Sequence, residues 1–181
     1  MTPTPSPVAA IDYLALLPAQ DDVPGDLDLL REDAAVTVEE VGEGFGAGSG
    51  LAERLDALDY RGGGLREFAL PNPGLSEYFS ELLGMQTAVL EFGSAAEAST
   101  AMNVQQQFAR NQPDWDIDPA NIDAISDETI ALKGDAVYEG TDVTVVAVFV
   151  REGARVYRFI SISGAYNAWV DTVRLARETV D

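Results

Sequence analysis

Residues 143–150 read Val-Thr-Val-Val-Ala-Val-Phe-Val and leave a strand no polar side. Successive side chains in a strand point to opposite faces, so an alternating segment can keep one face wet, but this one places apolar groups on both. It belongs at the centre of a sheet, covered on both sides, or covered on one and packed under a loop on the other. The rest of the chain has to supply its neighbours and its cover.

Neighbours are available on both sides in sequence. Residues 155–163 form a second strand, joined to the first as a hairpin through Glu152-Gly153-Ala154. Segments 129–133 and 135–139 read as two further strands, and 85–92 as another. Residues 61–70 read as a glycine turn entering a strand that ends at Pro71-Asn72-Pro73-Gly74. The cover is helical. Thr37-Val38-Glu39-Glu40 and Ser94-Ala95-Ala96-Glu97 are capping boxes, in which the hydroxyl accepts from the third helical N–H and the glutamate reaches back. The first starts a short helix with Val38, Val41 and Phe45 on one side. The second starts a helix running to about Arg110 with Ala98, Ala101, Met102, Gln105 and Phe108 inward.

A helix from Ser49 carries Leu51, Leu55 and Leu58 on one face, and Leu75, Tyr78, Phe79, Leu82 and Leu83 have the spacing of another short one. Residues 167–180 close the chain as a helix with Trp169, Val173, Ala176 and Val180 as its buried stripe. These pieces predict an α+β fold: an antiparallel sheet of about five strands with helices packed against it, in a single domain over residues 11–181. Residues 1–10, which contain Thr-Pro-Thr-Pro-Ser-Pro, read as an extended, solvated tether.

Composition removes whole classes of function. The formal net charge is −20, and residues 1–60 carry 2 Arg against 13 Asp and Glu. Binding a phosphate backbone or an anionic lipid surface depends on Lys and Arg, so no nucleic acid is expected as a partner, and a membrane only through an N-terminal anchor. With no His and no Cys, the chain has no Ser-His-Asp or Cys-His nucleophile, no histidine or thiolate zinc site and no disulfide. Carboxylate-pair hydrolysis is the enzymatic alternative, requiring two cleft acids about 5–10 Å apart with one desolvated.

Two motifs invite a ligand. The run Gly42-Glu-Gly-Phe-Gly-Ala-Gly-Ser-Gly50 lacks both the G-x-G-x-x-G spacing and a Gly-Lys-Ser/Thr ending, and Glu39, Glu40 and Glu43 would repel phosphate. It reads as a joint between two helices. Asp114, Asp116 and Asp118 have the D-x-D-x-D opening of a calcium loop, but Pro119 replaces its turn glycine and Ile125 its bidentate glutamate. A weak calcium site there is the extent of the cofactor expectation. Trp115, Tyr157, Arg158 and Trp169 are the candidate ligand-binding residues. By alternation Arg158 shares a face with Val156 and Ile160, and a guanidinium buried there needs a carboxylate.

Several short motifs, Asp22-Val-Pro-Gly25, Thr37 to Phe45, Leu65-Arg-Glu-Phe68, Phe92 to Glu97, Gly134-Asp135 and Val150-Arg-Glu-Gly153, resemble a group of secreted lipoproteins from Chloroflexi-type bacteria. More loosely, the strand, the Ser-Ala-capped helix and the late hairpin resemble the extracellular sensor domains of mycobacterial kinases. Both resemblances imply a non-catalytic, extracytoplasmic binding or sensing domain, secreted or lipid-anchored, for a small molecule or cell-surface component. The competing expectation is a protein-interaction module of a salt-adapted cytoplasm, since Lys133 is the single lysine and the surface is acidic.

Overall fold

The computed structural model describes residues 11–43, 50–71, 82–138, 140–164 and 167–180. Its strands are β1 (Asp28–Asp33), β2 (Tyr60–Ala69), β3 (Leu82–Phe92), β4 (Trp115–Pro119), β5 (Glu128–Tyr138), β6 (Thr141–Glu152) and β7 (Arg155–Ser163). The helices are α1 (Val38–Glu43), α2 (Leu51–Asp56), α3 (Ala95–Arg110) and α4 (Ala168–Val180). Among the described residues the strands make one seven-stranded sheet in the order β1-β2-β3-β7-β6-β5-β4, antiparallel throughout. Two meanders, β1-β2-β3 and β4-β5-β6-β7, are thus sewn together along the single β3–β7 pairing.

The doubly apolar strand is covered on both sides. On one face Val145, Ala147 and Phe149 of β6 join Leu90 and Phe92 of β3, Leu51 and Leu55 of α2, and Met102 of α3. On the other, Val146, Val148 and Val150 meet Phe159, Leu175 and Ala176, with Leu17 and Val23 from the N-terminal segment completing the cluster. α4 buries Ala168, Thr172, Leu175, Ala176 and Val180, while Trp169 and Val173 are only partly buried at its edge. The stripe is therefore rotated from the expected one, and Val170 is exposed.

Seven strands replace the expected five for local reasons. β1 was not anticipated because its sequence, Asp-Leu-Leu-Arg-Glu-Asp, belongs to an edge strand with largely exposed side chains and shows no alternation. β4 runs through the supposed calcium loop. The two expected segments 129–133 and 135–139 are one strand, β5, continuous through Gly134. An added Cβ at Gly134 would lie 2.0 Å from the Asp116 carbonyl oxygen and 2.7 Å from Ile117 Cα, so glycine there permits β4 to lie against β5. β3 also starts earlier than expected, taking in Leu82 and Leu83 from the supposed helix, whose other residues, 75–81, lie outside those described.

Both caps form. Thr37 Oγ1 accepts from the Glu40 N–H at 3.3 Å, and the Thr37 N–H donates to Glu40 Oε2 at 2.9 Å. Ser94 Oγ accepts from the Glu97 N–H at 3.3 Å and donates its own proton to Glu97 Oε2 at 2.8 Å. α2 begins after Gly50, at φ 75°, and not at Ser49, which with the rest of the glycine joint at 44–49 lies outside the described residues, as does the tether.

Candidate functional site

A polar row crosses the sheet on the face covered by α1, α2 and α3. The register places Arg31 of β1 opposite Glu67 of β2, and Glu67 opposite Gln86 of β3. Arg158 of β7 follows, with 0 % exposure. Its Nη2 donates to Gln86 Oε1 at 2.5 Å and its Nη1 to Gln105 Oε1 of α3 at 3.3 Å. Gln86 Nε2 in turn donates to Glu67 Oε1 at 2.7 Å. Arginine can only donate, so the Gln86 oxygen has to face Arg158 and its NH2 group has to face the carboxylate.

Among the described residues the buried guanidinium donates to two amide carbonyls, and the Glu67 charge stands one hydrogen bond further away. Burial pulls the Arg158 guanidinium down to about 10, with Glu67 and Tyr60 acting in the opposite direction, so it remains charged at neutral pH. Gln105 Nε2 and Thr87 Oγ1 are buried without a hydrogen-bond partner among the described residues.

Tyr60, at the start of β2, seals one side of this region. Its ring packs edge-on against Phe92 at 5.8 Å, and its hydroxyl donates to the Val36 carbonyl oxygen at 2.6 Å. Burial raises its pKa above the ordinary 10.0, reinforced by Tyr13 and Glu40. A proton held more tightly by the folded than the unfolded chain gives stability that is present below pH 10 and is lost as pH rises beyond it. Tyr60→Phe should cost about 1 kcal/mol at neutral pH through the lost hydrogen bond. The gap between the two proteins should close from pH 9 to pH 11, which urea unfolding across that range would measure.

Beside this row lies a cleft of about 250 Å³. Leu30, Leu83, Ile160 and Ile162 make its apolar walls and Trp115 of β4 an aromatic one, while Glu67 and Gln86 bring polar atoms to it. Its lining comes from both meanders: β1, β2 and β3 on one side, β7 and β4 on the other. Carboxylate-pair hydrolysis needs two acids, and the described lining supplies one, Glu67.

The four candidate ligand residues divide between the two faces of the sheet. Trp115 lines the cleft and Arg158 lies behind Gln86 on the same side. Tyr157, 3 % exposed, belongs to the opposite core, and Trp169, on α4, packs against the edge of that core. The aspartates of the supposed calcium loop are strung out instead of gathered: Asp116 and Asp118 lie on β4, where alternate residues stand roughly 6–7 Å apart. Arg110 approaches Asp118 at 3.5 Å. Among the described residues no group of three or more acidic side chains could hold a metal ion.

Sequence reasoning did not single out Glu67 and Gln86. The available signal was an inward glutamine in the otherwise apolar stripe Gln86, Ala88, Leu90, Phe92, matched by Gln105 on the inner face of α3.

No protein-family model matches the chain, and no curated protein sequence matches it. Among solved structures, the fold is similar to the extracellular domain of PknH from Mycobacterium tuberculosis, with a TM-score of 0.62 and 12% identity, covering 97% of this chain and 96% of that one. A protein of unknown function from Pseudomonas aeruginosa, PA94, described as a putative regulator, matches over 55% of this chain and 68% of its own, with 16% identity and a TM-score of 0.36. The first likeness establishes a shared architecture; the expected likeness to Chloroflexi-type lipoproteins gains no sequence match. Among the described residues no helix is long and apolar enough to cross a membrane.

Proposed function

We propose that this chain is a non-catalytic, extracytoplasmic binding domain that takes a small molecule in the cleft between its two meanders. The observation that carries the reading is the cleft itself, with apolar walls, one indole and two converging polar side chains, which is the usual make-up of a small-molecule site. Likeness over almost the whole of both chains to a domain described as extracellular supports the location. The acidic surface, with its net charge of −20, supports a domain that stays clear of anionic polymers and lipid headgroups.

The test is a ligand screen read by two signals. Metabolites, sugars and calcium would be added to the wild-type chain and to Trp169→Phe, which leaves Trp115 as the only indole. A binder in the cleft should raise the unfolding midpoint by a few degrees and shift Trp115 emission in both proteins. A panel that leaves both signals unmoved would refute the reading in favour of a structural or protein-interaction role.

A further inference from the structure

The cleft carries a sign as well as a shape. Arg158, in the polar row beside it, is fully buried and directs Nη1 and Nη2 at Gln105 and Gln86, so no ligand in the cleft can reach it. Gln86 is held with its oxygen toward Arg158 and its NH2 group on Glu67. What remains for a ligand is the Glu67 carboxylate, which has room for about four hydrogen bonds and uses one of them on Gln86. Arg31, opposite Glu67 in the register, is held by Glu40 and by Asp33. Around Arg31 the three carboxylates of Asp33, Glu40 and Glu67 outnumber the one guanidinium.

Resting on the binding-domain reading above, we infer that the ligand is a small organic cation: an ammonium group that ion-pairs with Glu67, on an apolar body that lies against Trp115, Ile160 and Ile162. An anion would be repelled by the Glu67 carboxylate and could not use the guanidinium groups near it, since Arg158 is buried and Arg31 is held by Glu40 and Asp33, while a purely apolar guest would strip water from that carboxylate without returning a hydrogen bond. An indole in the wall adds attraction for a cation through its negative face. The volume, about 250 Å³, falls below the range of drug-sized sites and admits a guest on the order of ten non-hydrogen atoms. The field of a chain with net charge −20 draws cations toward it.

Three probes of one shape separate the outcomes: 2-phenylethylamine, 2-phenylethanol and 3-phenylpropanoate, titrated against Trp169→Phe with Trp115 emission as the readout. The amine should bind about tenfold or more tighter than the alcohol, as expected for a charge-assisted hydrogen bond, and the acid should not bind. Glu67→Gln should abolish the preference for the amine over the alcohol, and its circular dichroism and unfolding midpoint show independently that the variant is folded. An amine no tighter than the alcohol, a binding acid, or a preference that survives Glu67→Gln would overturn the cationic assignment and leave the cleft standing as a site. Silence from all three probes in the unaltered cleft, when the screen above does find a binder, would also refute it; silence in both experiments would take the binding-domain reading down as well.

Discussion

Arg158→Ala is expected to lower the free energy of unfolding by about 3–5 kcal/mol, enough to consume much of the stability of an ordinary domain. Two losses add. The side chain is among the largest that are fully buried, so truncation leaves a void beneath α3. The Gln86 and Gln105 carbonyls also lose their donor in a place where little water can replace it. Arg158→Met separates the two, because it keeps the apolar stem and removes the donors. Its loss should be about half as large. Urea unfolding at pH 7, where the guanidinium is charged, measures both variants, and an alanine loss below about 1 kcal/mol would show that the buried network contributes little.

Gly134→Ala should cost about 2–3 kcal/mol although it adds a single methyl group. The methyl would fall inside contact distance of Asp116 and Ile117 backbone atoms, and backbone cannot swing aside as a flexible side chain can. The relief available is for β4 to part from β5, which carries Trp115 with it. Loss of stability should therefore come with a red shift of Trp115 emission in a Trp169→Phe background and with weaker binding of any cleft ligand. A stability loss with Trp115 unmoved would mean that the strain is absorbed in β5 and that β4 is held chiefly by α3.

These two positions also show where the sequence could be read and where it could not. Elements with a local signature were legible: Ser94 and Glu97 mark the start of α3, Glu152-Gly153-Ala154 marks the β6–β7 turn, and the valine run marks the centre of the sheet. Burial of Arg158 was legible from its alternation with Val156 and Ile160. Its partners were not, because Gln86 and Gln105 lie 72 and 53 residues away and become neighbours only through the β3–β7 pairing and the placement of α3. Edge strands were the weakest point. β1 and β4 are rich in acids, pair on one side and bury few side chains, so nothing in their composition distinguishes them from loops. Gly134 falls between the two expected segments 129–133 and 135–139, whereas in the fold it serves the close approach of a neighbouring strand.

The union of the two meanders along β3 and β7 sets an order of events. Ala88 pairs with Arg158, so the last edge of the first meander stays open until the final strand has been synthesised. Loop closure of that length is slow relative to the hairpins that build each half. A guest gripped by Glu67 from the early half and by Trp115 from the late half would act as a clasp on the last seam to shut. It would favour the assembled chain over any half-joined form, by an amount set by its concentration relative to its dissociation constant.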